Sequence, residues 1–225
     1  MHETACSKEH IMMATDIFNA YRVTALLLIL AFVSFATGGT LPVVGEKGNA
    51  RIFTLPVREH LQAVANNAIV WRWANIFMGA AAVLLLAGLW MLTAMLIRAN
   101  ERVFSRLGLL AMLLATVLWV TFSAFRGIIT ARAAEEMTAA GAAPAYYESL
   151  ARWAFRLFFI YAVLGFLALA AYGVSLLQAG LLPVWVGWAT VVFSSALLIL
   201  LFIMGDTLPG LQYLPGLLIG ILLLL

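Results

Sequence analysis

Cysteine, histidine and lysine are scarce in this chain, and each scarcity closes a class of function. Cys6 is the only cysteine, which excludes an intrachain disulfide and any cysteine-built zinc or iron–sulfur centre, and leaves the redox compartment open. The three histidines, His2, His10 and His60, all lie outside the long apolar runs, so no haem can hang between two span histidines. Lysine occurs only at Lys8 and Lys47, again outside those runs, which removes an intramembrane Schiff-base lysine. Charge is sparse as well. Only 10% of residues are charged, 65% are hydrophobic and the mean hydropathy is +1.05, a balance that a soluble domain does not show and an integral membrane protein does. The pI near 9.3 rests on a net charge of +3 with arginines scattered at span ends, so nucleic acid is rejected as a partner. No cofactor or metal site is expected.

What is present is length. Leu107 to Thr130 is a membrane-length helix with a polar stripe: Thr116, Trp119, Ser123, Arg126 and Thr130 recur at steps of three and four. Leu113, Leu114, Val117, Leu118, Phe122 and Phe125 cover the remainder, so the helix has an inside and an outside. A charged side chain costs at least roughly 2.5 kcal/mol at the centre of a span, so Arg126 is expected to point at protein, water or head groups.

The fold class predicted is all-α, a single-domain polytopic transmembrane bundle of about six spans, near 23–41, 69–97, 107–130, 153–177, 183–204 and 210–225. Gly38-Gly39 followed by Pro42 is read as the end of span one. Pro56, Glu59, Leu61, Val64 and Ala65 predict a short amphipathic helix at the interface, broken at Asn66-Asn67. Trp71 and Trp73 read as interfacial aromatics at the entrance to span two. Residues 131–152 read as a second large loop, closed by Glu148, Arg152 and Arg156 at helical ion-pair spacing. Small or polar faces recur: Thr24, Ala31, Ser34 and Gly38; Asn75, Gly79, Ala82 and Thr93; Tyr161, Gly165, Ala168, Tyr172 and Ser175. The last run, from Gly210, would reach about 24 Å as a helix against roughly 30 Å of hydrocarbon, so it is either a short sixth span or an early stop of the sequence. Its Gly216 and Gly220 form a GxxxG pair that permits close helix approach. At the other end, the pair Met12–Met13 marks an alternative start.

Arg98, Arg102 and Arg106 cluster in one short connection, which places that side and both termini in the cytoplasm. A plain count of lysine and arginine disagrees, five against eight, but several of the eight sit in span ends or interfacial helices.

With this topology Asn75, Arg126, Arg132, Arg156, Tyr161 and Asp206 approach the large-loop side together. The candidate ligand-binding set is Arg126, Asp206, Tyr161, Asn75 and Arg156: a polar pocket for an anionic or amphiphilic ligand, with Arg126 as the charge and Asp206 or Tyr161 as orienting groups. The competing reading is snorkelling arginines and interfacial tyrosines. No catalytic residue is assigned, because no span contains a histidine or lysine to activate Ser123, Ser175, Ser194 or Ser195.

Leu182-Pro183-Val184-Trp185-Val186-Gly187-Trp188, followed by Leu208-Pro209 and the stretch Tyr213 to Gly220, resembles the closing two spans of uncharacterised bacterial six-span integral membrane proteins. The Trp71–Asn75 entrance to span two is similar to theirs. The resemblance implies a six-helix fold in a bacterial inner membrane and carries over no functional residue. Glu135-Glu136 resembles the paired glutamates of intramembrane CAAX-type proteases, but Ala140 stands where that family has arginine and the span histidines are missing, so the likeness fails. Three roles remain: a binding or accessory protein in the membrane, a transporter-like protein with its pocket near Arg126, and, least supported, an intramembrane enzyme. Membrane lipids, and a protein partner or second copy on the apolar helix faces, are the expected partners.

Overall fold

A computed structural model describes residues 3–46 and 55–225, with side chains from Asn19 onward; His2 and Lys47 lie outside the described residues, and Cys6, Lys8 and His10 are described in their backbone alone. Among the described residues there are no strands, and the chain is an all-α bundle. Helix α1 is Glu3–Gly45, α2 Val57–Asn66, α3 Ala68–Arg98 and α4 Phe104–Ala124. A π-helical turn, Phe125–Thr130, carries α4 into α5 (Ala131–Ala140), and α6 (Ala145–Ala179), α7 (Val184–Met204), a 3-10 turn (Pro209–Gln212) and α8 (Tyr213–Leu224) complete the chain. Five helical segments are long and apolar enough to cross a bilayer, Asn19–Gly45, Ala68–Arg98, Phe104–Ala140, Ala145–Ala179 and Val184–Met204, with Pro209–Leu224 as a shorter apolar sixth. This is a multi-pass membrane protein.

Neighbours run α8, α1, α3, α4, α6, α7 around the bundle. Small residues set the spacing at which these helices meet. A Cβ on Gly173 of α6 would lie 2.9 Å from the Gly187 carbonyl of α7, and one on Gly187 would lie 2.9 Å from the Gly173 carbonyl, so the two backbones touch where both side chains are hydrogen. Gly220 of the GxxxG pair plays the same part against the Ala25 carbonyl of α1, at 3.0 Å.

Crosswise side-chain donors then lock the seams. Ser34 Oγ donates to the Phe77 carbonyl at 2.8 Å, Trp119 Nε1 to the Met78 carbonyl at 2.8 Å, and the Thr93 and Tyr172 hydroxyls lie 2.6 Å apart. In an apolar solvent such donors have no water to turn to, so each specifies which helix lies beside which. Of the inward faces read from sequence, Asn75, Ala82 and Thr93 on α3 are buried with Gly79 half-buried, and Tyr161, Gly165, Ala168, Tyr172 and Ser175 on α6 are all buried.

Several expectations are corrected. Span one does not end at Pro42: α1 continues to Gly45 with the proline inside it. Proline removes only its own N–H; the Glu46 N–H still reaches the Pro42 carbonyl at 3.0 Å, and Asn67 Nδ2 holds the Gly45 carbonyl at 3.3 Å. The stretch 131–152 is no loop either. Its alanines favour helix, and only the short break between α5 and α6 interrupts them, with Gly141 in the left-handed region (φ 74°) and Pro144 leading into α6. The segment Phe104–Ala140, at 37 residues, is about 25 Å longer than the hydrocarbon core requires. Its α5 end therefore lies at the interface, packed on α2, whose Leu61, Ala63 and Val64 are buried. The Glu148–Arg152 pair predicted from spacing is not formed; the ion pairs among the described residues are Arg72–Glu135 (2.7 Å) and Arg132–Glu136 (2.8 Å). Both residues of the unformed pair are exposed, where water competes and such pairs contribute little. Phe122 and Phe125, assigned to the outer face of span three, are buried, Phe122 against Phe158 (5.6 Å between centroids) and Phe125 stacked on Tyr147 (6.1 Å).

Candidate functional site

The polar stripe of span three turns inward, with Thr116, Trp119, Ser123 and Thr130 buried and Arg126 half-buried. Arg126 sits in the π-helical turn. Such a turn widens the helix by one residue and detaches carbonyls from the regular ladder, a device common at functional sites. Trp71 supplies the replacement donor: its Nε1 reaches the Arg126 carbonyl at 2.7 Å. The same indole lies under the guanidinium, whose Cζ is 4.7 Å from the ring centroid and 5.6 Å from that of Phe122. Trp71 was read as an interfacial anchor; it is 1% exposed and belongs to the site. The entrance aromatic that does face outward is Trp73.

Arg126 lies on the shared wall of two cavities. The larger, about 330 Å³, is lined by apolar and aromatic groups including Phe35, Met78 and Phe158 and closed by the segment Asp206 to Gly210. The smaller, about 140 Å³, opens past His60, Thr130 and Tyr147. Tyr147 donates to Thr130 Oγ1 at 3.3 Å, and the His60 ring stands edge-on to Trp71 with centroids 5.1 Å apart. Behind Phe35, Trp119 is the hub of an aromatic cluster, with ring centroids 4.5 Å from Tyr161 and 6.1 Å from both Phe35 and Phe158. A guanidinium between walls that are mainly apolar and aromatic, with Asp206 on one rim and His60 on the other, suits an amphiphile: a negative group pairs with the guanidinium and the rest lies against rings.

The five residues proposed from sequence are therefore divided. Arg126 and Asp206 line one cavity. The Asp206 carboxylate accepts the N–H of the adjacent Thr207 at 2.7 Å, a local contact within the loop after α7. Tyr161 is buried beneath Trp119 and borders neither cavity. Asn75 faces a different space, a groove between α3 and α4. Arg156 is exposed on α6. The shared side of the membrane was not enough to bring them together, because residues at one level of a bundle still point in different directions around it. Trp71, His60, Tyr147 and Phe158 were missed as members of the site. His60 carried a legible signal, a histidine on the amphipathic helix preceding the span. The aromatics carried none, since a phenylalanine facing a cavity and one facing lipid have the same periodicity.

Among the described residues no group of three or more histidine, cysteine, aspartate or glutamate side chains is placed to hold a metal ion. No family model matches the chain, and comparison with curated proteins and with solved structures finds no similar protein.

Proposed function

We propose that this membrane protein binds an anionic amphiphile, with its charged group at Arg126 and its apolar part in the 330 Å³ cavity. The observation that supports this reading is the placement of a half-buried guanidinium, stacked on Trp71, at the junction of two cavities in an otherwise apolar bundle. The volume falls in the range of small-molecule sites, and a charge kept inside a span is a functional feature by default. Asp206, on the rim of the same cavity, orients or releases the ligand by like-charge repulsion. The Arg98–Arg106 cluster supports an orientation with that connection and the termini in the cytoplasm, and a bacterial inner membrane is the setting that the resemblance of the closing two spans implies. Transport would use the same site, with the loop at Asp206 as its gate. An accessory role would use the exposed apolar faces instead, on a protein partner or a second copy.

The experiment is titration of the purified protein in uncharged detergent with oleate, and with oleyl alcohol as the neutral control, following tryptophan fluorescence. Oleate binding that Arg126→Gln weakens and Arg126→Lys partly restores supports the reading. Equal binding of acid and alcohol, or no effect of Arg126→Gln, sinks it.

A further inference from the structure

The smaller of the two cavities beside Arg126 differs from the larger in charge. Asp206 lines the larger, whereas among the described residues that line the smaller there is no carboxylate. Hydrogen-bond donors line it instead: His60 from α2, Arg126 and Thr130 from the π-helical turn, and Tyr147 from α6. Its volume, about 140 Å³, is that of roughly five water molecules in the liquid. A compact ion fits there, and the long apolar chain of an amphiphile does not.

Trp71 sets the spacing of these donors. The guanidinium carbon of Arg126 lies 4.7 Å from the centroid of its ring, and the His60 ring stands edge-on to it at 5.1 Å, so one buried indole carries both. A guanidinium has five N–H groups in a fork that matches two oxygens of one anion, and an imidazole has one N–H when neutral and two when charged. Tyr147 donates to Thr130 Oγ1 at 3.3 Å, which is long for an O–H···O bond, and a hydroxyl rotates to a stronger acceptor when one arrives. His60 is half-buried on the amphipathic α2 and stands at the mouth, which puts the entrance at the membrane surface.

We propose that the smaller cavity binds a compact tetrahedral oxyanion of the phosphate class, held by the Arg126 guanidinium, the His60 ring N–H and the Tyr147 hydroxyl. These donors come from three helical elements around one small space. A tetrahedral ion, whose oxygens point to different sides, meets all of them, whereas a planar carboxylate presents two oxygens on one side only. The bonds it accepts are charge-assisted and correspondingly strong. Arg126 borders both cavities, so the oxyanion competes with the amphiphile for one guanidinium. That competition, and nothing else here, rests on the function proposed above. A dissolved phosphate and the phosphate of a lipid head at the mouth offer the donors the same chemistry.

The test is isothermal titration calorimetry of the full chain in maltoside micelles with inorganic phosphate, in a fixed chloride background, and separately with dioleoylphosphatidate. One saturable phosphate site is expected for a dissolved ion; saturable binding of phosphatidate alone assigns the same donors to a lipid head. His60→Phe keeps a ring against Trp71 and removes the ring nitrogens, and it should weaken binding about tenfold or more, as loss of a hydrogen bond to a charged group does. Ala151 lines the smaller cavity and not the larger, so Ala151→Leu should abolish binding, while Asp206→Asn, in the larger, should leave it unchanged. Phosphate should raise the apparent Kd of oleate for the natural chain and not for His60→Phe, whose retained oleate binding also shows that it folds. No saturable binding of either phosphate compound, or full binding by His60→Phe, overturns the oxyanion site and leaves oleate at Arg126 standing. Oleate binding that His60→Phe weakens equally also overturns it, by giving the smaller cavity to the head of the amphiphile. Phosphate bound through His60 with no oleate bound overturns the amphiphile alone.

Discussion

Trp71 holds Arg126 twice, with its ring face 4.7 Å from the guanidinium carbon and its indole N–H 2.7 Å from the carbonyl of the same residue. One side chain thus fixes both the charge and the backbone of the turn that carries it. The π-helical turn and the cation–π contact are two consequences of one contact between α3 and the end of α4. A side chain inserted into a helical ladder is a known cause of such local unwinding.

Trp71→Phe keeps a ring under Arg126 and removes the donor. The Arg126 carbonyl then loses its partner in a dry place, and the expected loss of stability is about 1–3 kcal/mol by chemical unfolding in micelles. Arg126→Leu removes the charge instead. Because the two residues touch, the double variant should depart from additivity by on the order of 0.5–3 kcal/mol. Strict additivity would show that the ring and the guanidinium do not meet in the membrane.

Glu101 predicts a pH effect from the opposite end of the bundle. It lies in the connection before α4, and its carboxylate accepts the N–H groups of Val103 and Phe104, each at 2.8 Å, and of Ser105 at 3.0 Å. Burial by itself raises the pKa of this carboxyl, but the neighbouring Ser175 and Ser105 hydroxyls and the Phe104 and Ser105 N–H groups outweigh it and hold the group below its ordinary 4.5. A lowered pKa means that the unfolded chain takes up the proton first as pH falls. The stability Glu101 contributes is therefore complete above about pH 4.5 and is lost as pH falls through the lowered value. Glu101→Gln should cost about 1–2 kcal/mol at neutral pH, as loss of a helix-capping side chain does. Between pH 5 and 3 the variant should also lose less stability than the natural chain; parallel pH profiles would contradict this.

Cys6, the single thiol, precedes the first span and falls on the side of the Arg98–Arg106 connection. If that side is cytoplasmic, a membrane-impermeant maleimide labels Cys6 in inverted vesicles and not in intact spheroplasts. Labelling of intact spheroplasts would reverse the orientation and favour the plain count of basic residues.

The sequence by itself determined the class, a count of about six spans and the polar or small stripe that α3, α4 and α6 turn inward, although not the burial of Phe122 and Phe125 beside it. Hydropathy and a 3.6-residue period are local properties, and the bilayer enforces them wherever they occur. Thr116, Trp119, Ser123 and Thr130 were legible as buried for that reason, and so were Tyr161, Tyr172 and Ser175. The helicity of 131–140 was legible in principle from its alanines and was hidden by their low hydropathy contrast with a loop. Only the tertiary structure decided which inward faces meet. Arg126 and Asp206 share a cavity while Asn75 looks into a separate groove and Tyr161 stacks under Trp119, although all four were placed at one end of the bundle. Period and hydropathy give the level of a side chain and its side of the helix. The neighbour it meets depends on the rotation and crossing of packed helices, which are set by distant contacts such as Gly173 against Gly187 and Trp71 against Arg126. The π-helical turn belongs to the same category: it requires a donor from 55 residues away, and no pattern within Phe125–Thr130 announces it.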